Sequence, residues 1–177
     1  MIKKALLVAL MIIFLLMISS CKGGGKMKVE SVFKDNEFIP KKYTCMGSNV
    51  NPPLVISNIP RNAKSVAIIM DDPDAPVGTF VHWILWNLIV DGDEVKIDEG
   101  LPRKASCCEQ GINDFGRIGY DGPCPPRGHG VHHYHIKVYA LDTKLNLPSK
   151  ATKKALENAM KGHILSQVEL VGLFERK

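Results

Sequence analysis

The chain has 177 residues, 45% hydrophobic and 23% charged, which is the size and balance of one ordinary globular domain. Of its 23 basic residues, Lys3 and Lys4 fall in a segment expected to be removed, which leaves 21 against 18 acidic residues. A balance that mild gives no basis for a nucleic-acid partner.

Residues 1–21 run from Lys3 and Lys4 through an unbroken apolar stretch, Ala5 to Ile18, to Ser19, Ser20 and Cys21. This is the order of parts in a secretory signal peptide. As a helix the stretch would cover about 21 Å, short of the roughly 20 residues that cross a bilayer. The ending Ile18-Ser19-Ser20-Cys21 resembles the lipobox of prokaryotic lipoproteins, so residues 1–20 are expected to be cleaved and Cys21 acylated. An uncleaved anchor with an incidental cysteine is the competing reading, and both place the domain on the extracytoplasmic face of the cell membrane. Residues 21–27, with Gly23-Gly24-Gly25, then form a flexible leash to a single domain over 28–177.

Between residues 28 and 140 short β-type runs dominate, among them Val66 to Met70, Phe80 to Val90 and Val131 to Leu141. Prolines punctuate them at 40, 52, 53, 60, 73, 76, 102 and in the 123–126 cluster. The pattern predicts a mainly β domain, a sandwich or barrel. A helix follows over about Lys150 to Lys161, with Ser149 as cap and Gly162 as stop, and then a last strand from Ile164 to Phe174.

Four cysteines besides Cys21 allow three full disulfide pairings. A bond between the adjacent Cys107 and Cys108 is disfavoured by strain, so each is expected to pair elsewhere or stay free. No Cys-x-x-Cys spacing occurs, and no zinc is expected.

Five of the six histidines lie between residues 82 and 135. Strand parity puts His132, Tyr134, Ile136 and Val138 on one, apolar face and His133, His135 and Lys137 on the other. The same count groups His82 with Ile84, Trp86 and Leu88. A buried histidine there either satisfies a backbone group or lines a site. Parity also opposes a metal site made of His129, His132, His133 and His135.

The ordered set Asp72-Pro73-Asp74-Ala75-Pro76, Phe80-Val81-His82-Trp83 with Asn87, Gly119-Tyr120 with Gly122-Pro123-Cys124-Pro125-Pro126, and His132-His133-Tyr134 with Tyr139-Ala140-Leu141-Asp142 resembles the phosphatidylethanolamine-binding-protein family, especially its bacterial and archaeal branch. The resemblance covers about residues 28–175. It implies a central antiparallel sheet packed on a smaller sheet, closed on one side by the C-terminal helix. It also implies a small cavity for phosphate-like or carboxylate-like anions, lined by Asp72, His82, Cys124, Pro125, Pro126, His132 and Tyr134 with Asp74 close by, and one or more cis peptide bonds before prolines in these loops. Asp72 is expected to accept a hydrogen bond from His82 and favour its charged form. The family often has arginine after the matched histidine; His133 stands there in this chain, so contacts needing that arginine are not implied.

The expected function is non-catalytic binding of a small anion, with no cofactor and no metal, coupled to a possible protein partner such as a protease. Inhibition of an extracytoplasmic serine protease is one alternative. A hydrolase or lyase using His132 or His82 as acid or base is another, but the sequence has no Gly-x-Ser-x-Gly elbow.

Overall fold

The computed structural model describes residues 25–177, so the expected signal peptide, Cys21 and the first part of the leash lie outside the described residues. Met27, assigned above to the leash, is already buried in the core. Nine strands and one helix follow: β1 Lys28–Glu30, β2 Glu37–Phe38, β3 Leu54–Ser57, β4 Ser65–Asp72, β5 Phe80–Ile89, β6 Glu94–Ile97, β7 Glu109–Gln110, β8 Val131–Leu141, α1 Lys153–Met160 and β9 Ile164–Glu175.

The strands form a three-stranded sheet, β1-β3-β6, and a six-stranded sheet, β2-β9-β8-β4-β5-β7. All pairings are antiparallel except the two-residue contact of β2 with β9. Leu54, Ile56, Val95 and Ile97 of the small sheet pack with Val66, Ile68, Met70, Ile136 and Val138 of the large one. On the opposite face of the large sheet, Ala67, Ile69, Ile84 and Trp86 pack under Leu156 and Met160 of α1. With both faces covered, every residue of β4 is buried, which accounts for its unbroken apolar run. The mainly β architecture with one C-terminal helix is the one the resemblance implied.

The helix begins three residues later than its pattern predicts. Ala151 is held outside it, because its carbonyl accepts a hydrogen bond from Ile112 N. A Cβ on the neighbouring Gly111 would collide with that same carbonyl. Thr152 therefore replaces Ser149 as the cap, accepting from Ala155 N at 3.3 Å.

Parity holds along β8, where His132, Tyr134, Ile136 and Val138 are buried on the inter-sheet side. It fails along β5, which carries two bulges. Met70 pairs with Trp83 but Asp71 with Val81, leaving His82 as an extra residue; Ile68 pairs with Leu85 but Val66 with Leu88, and Asn87 there has φ of 57°. Each bulge reverses the faces beyond it. Ile84 and Trp86 thus lie under the helix, while Leu88 and His82 turn to the inter-sheet side, so the four do not share one face as expected. Asn87 fixes its bulge by exchanging two 2.8 Å hydrogen bonds with the backbone of Leu145.

Asp71, fully buried on the helix side of β4, accepts from Lys137 Nζ of β8 at 2.8 and 3.1 Å and from Lys153 Nζ. Lysine in the first turn of a helix opposes the helix dipole, and this ion pair is the compensation that ties α1 to the sheet. A second tie is the disulfide Cys45–Cys124, which spans 79 positions and joins the loop before β3 to the loop before β8. Cys107 and Cys108 are free. Among the described residues no peptide bond is cis, so the cis prolines implied by the resemblance are not found.

Asp71→Asn is expected to lower stability by about 2 kcal/mol, since two half-covered ammonium groups lose their charged acceptor. Denaturant unfolding reads this as a lower midpoint at unchanged slope. Replacing both Cys45 and Cys124 by serine should cost about 4.5 kcal/mol through the entropy of the opened loop.

Candidate functional site

The site forms where β4, the bulge of β5 and the start of β8 meet two loops. At the end of β4 the turn 72–74 is clipped to β8 on both faces. On the inside, Asp72 Oδ1 accepts from Asp74 N at 2.8 Å and Oδ2 accepts from His132 Nδ1 at 2.7 Å. On the outside, Asp74 Oδ2 accepts from His133 N at 2.8 Å and His133 Nδ1 at 2.7 Å. Neighbouring residues of a strand point to opposite faces, so adjacent histidines serve the two aspartates separately. The His133 ring holds the Asp74 carboxyl below the usual carboxylate range.

His132 is held at both nitrogens. An ionised carboxylate only accepts, so Nδ1 carries the hydrogen shared with Asp72, and in the neutral ring Nε2 is the acceptor. Nε2 lies 2.7 Å from Nδ1 of His129, which thus donates. His129 sits in the exposed loop between Gly128 and Gly130, both with positive φ and open space around them. Sequence reasoning considered His129 only as a metal ligand; the loop brings it onto His132 from beyond the strand, where parity does not apply.

His82 does not donate to Asp72 as expected. Its Nδ1 donates to the backbone carbonyl of Asp121 at 2.7 Å, while Asp121 N donates to the His82 carbonyl at 3.1 Å. Burial pushes the His82 imidazole below its ordinary value, against the opposing pull of that carbonyl and of Asp72. Burial thus favours the neutral ring, which keeps its hydrogen on Nδ1 and has a lone pair at Nε2.

Asp121 is the residue that sequence reasoning passed over. Its buried carboxylate accepts from Asn113 Nδ2 at 2.7 Å, from Arg117 Nε at 3.0 Å and from Asn49 Nδ2 at 3.3 Å, with Arg117 Nη2 at 2.7 Å. These donors fix the loop that presents the carbonyl to His82. Gly122 next to it packs so tightly on the Tyr43 carbonyl that a Cβ would not fit. An acid between glycines, with asparagine and arginine a few residues upstream, was the available signal.

A cavity of about 210 Å³ opens between these elements. Its polar wall is Asp72, His82 and His132, its apolar wall Ala75, Pro76, Val77, Phe80 and Phe115, and its third side Cys124, Pro125 and Pro126. The structure thus brings together six of the eight anticipated residues. Asp74 faces His133 outside the wall. Tyr134 lies behind it, with its ring 5.2 Å from that of His82 and 6.4 Å from that of His132. Its buried hydroxyl makes no hydrogen bond of ordinary geometry, and burial, with the Asp72 carboxylate near it as charge and acceptor, pushes the phenol up, so it keeps its hydrogen. No lysine or arginine belongs to the wall. Among the described residues no group of three or more metal-ligating side chains is placed to hold an ion.

The phosphatidylethanolamine-binding protein family model matches residues 29–175. A UPF0098 protein of Pyrococcus horikoshii is 58% identical over 166 residues, spanning 89% of this chain and 82% of that protein. Among solved structures, a phosphatidylethanolamine-binding-protein homologue from Chlamydia trachomatis aligns with TM-score 0.78 and 39% identity, over 86% of this chain and 99% of its own. YbcL of E. coli, described as a member of the mammalian family of that name, aligns with TM-score 0.78 and 28% identity, over 86% and 100% of the two chains. The order of motifs, the two-sheet fold and these matches agree, and the chain belongs to the phosphatidylethanolamine-binding protein family.

Proposed function

We propose that the protein is a non-catalytic binding protein for a small oxyanion, phosphate-like or carboxylate-like, and that it takes up a proton when the anion enters. The observation that carries this reading is a concave, mostly apolar wall whose only cationic possibilities are two imidazoles. A wall with a fixed guanidinium would hold an anion at any ordinary pH. Here the charge must arrive as a proton.

The Nδ1 hydrogen of His82 is committed to the Asp121 carbonyl, so protonation adds the new hydrogen at Nε2 and converts an acceptor into a charged donor. The buried Tyr134 ring packs edge-on against His82 from behind the wall. Asp72, already engaged by His132 and by Asp74 N, has its charge partly answered before the ligand arrives. No free thiol or hydroxyl nucleophile stands in the wall: Cys124 is locked in its disulfide, and no serine or threonine lines the cavity. That chemistry favours retention of the ligand over turnover.

The domain is proposed to work outside the cytoplasm, tethered through Cys21. The closed Cys45–Cys124 bond supports an oxidising compartment, where such bonds ordinarily persist.

The test is calorimetric titration with phosphate, acetate and phosphoethanolamine at pH 6 and pH 8. The empty-site value of His82 lies below the ordinary histidine value, and a bound anion raises it. Affinity should therefore grow as pH falls, by up to about tenfold per unit between the two values, and level off below the lower one. His82→Ala should remove the pH dependence along with most of the affinity; binding that weakens on acidification would overturn the reading.

A further inference from the structure

The two cysteines left outside the disulfide among the described residues stand side by side just before β7, with Sγ of Cys107 and Sγ of Cys108 only 3.3 Å apart. Both side chains thus turn to one side of the chain, whereas successive side chains of an extended strand turn apart. Cys107 is partly buried and Cys108 is buried against the core. The surrounding backbone is held: Ile89 N donates to the Cys107 carbonyl at 3.2 Å, and Glu109 and Gln110 pair with Trp86 and Leu85. The pair is therefore presented at a fixed place, with the sulfur of the less buried cysteine in contact with that of the buried one. Among the described residues no cluster of three or more metal-ligating groups exists, so a sulfur-rich metal centre has no place here.

We infer that Cys107 and Cys108 form a reversible two-electron redox site that closes to a vicinal disulfide by exchange with a small-molecule disulfide. The Cys107 thiolate attacks one sulfur of the disulfide, bonds to it and expels the other half as a thiolate. The Cys108 sulfur, giving up its proton to solvent, then attacks Cys107 Sγ and expels the second half. Two protein thiols are oxidised, one external disulfide is reduced to two thiols, and the two protons end on those thiols. The order follows from exposure, and burial beside Cys107 pushes the Cys108 thiol up, so Cys107 is the first nucleophile.

The product differs from Cys45–Cys124. Adjacent α-carbons are held about 3.8 Å apart across a trans peptide, closer than the roughly 4.4–6.8 Å that unstrained disulfides occupy, whereas Cys45 and Cys124 stand at 5.4 Å. Strained and accessible disulfides are the easily reduced ones. One chain then carries a permanent bond at the cavity and a labile one at the sheet edge.

The test equilibrates the full chain with reduced and oxidised glutathione over a series of ratios, traps free thiols by alkylation and reads the tryptic peptide Ala105–Arg117 by mass. The expected result is a peptide two hydrogens lighter and unalkylated at oxidising ratios, which reopens at ratios where Cys45–Cys124 is still closed. In Cys108→Ser, Cys107 should instead accumulate bound glutathione. Two alkylated thiols throughout the series, a glutathione adduct that persists in the unaltered protein, or reopening only together with Cys45–Cys124 would each overturn the inference.

Discussion

A carboxylate taken out of water must be met by donors, and three aspartates of this fold, Asp71, Asp72 and Asp121, are almost wholly buried. Most of the molecule's organisation can be traced to how each is met. Asp71 draws two lysines and so fastens the helix to the large sheet. Asp72 takes the His132 ring and the amide of Asp74, which closes the turn after β4 and sets the imidazole in one tautomer. Asp121 gathers Asn49, Asn113 and Arg117 and thereby holds the loop whose carbonyl orients His82. Asp71 and Asp72 are neighbours in one strand, so the strand's alternation sends one to the structural network and the other to the cavity.

This arrangement explains why the cavity is electrically reserved. Fixed cations are spent on the buried carboxylates away from the wall: Lys137 and Lys153 on Asp71, Arg117 on Asp121. Arg176 reaches Cys124 Sγ at 3.7 Å without joining the wall. What faces the cavity is a set of rings whose hydrogens depend on protonation, backed by a phenol that keeps its own. Selectivity for the proposed anion would rest on the charge that ligand and proton bring together, rather than on a standing positive field.

Much of this was legible in the residues, and the failures have specific causes. Val131 to Leu141 was found to the residue, and its parity separated the inward His132 and Tyr134 from the outward His133 and His135, because a long central strand keeps its alternation. The same rule misled on β5, where an extra residue at His82 and a left-handed Asn87 each reverse the faces, and neither announces itself in an apolar run. The Asp72–His82 pairing drawn from motif proximity gave way to Asp72–His132, since residues that meet across a sheet are set by register rather than by distance along the chain. The start of the helix was misplaced because a long-range bond to Ala151 decides it. Asp121 escaped because its importance lies in a backbone carbonyl and in donors from two separate loops. The membership of the cavity wall came from the motif resemblance and not from composition or periodicity.

The central claim is that the anion brings a proton to His82. The most direct measurement is the two-bond proton–nitrogen correlation of the His82 ring at neutral pH, recorded with and without phosphate. The account predicts a neutral ring with hydrogen on Nδ1 alone in the empty protein and an imidazolium with both nitrogens protonated in the phosphate complex; a ring that stays neutral while phosphate is bound would contradict it.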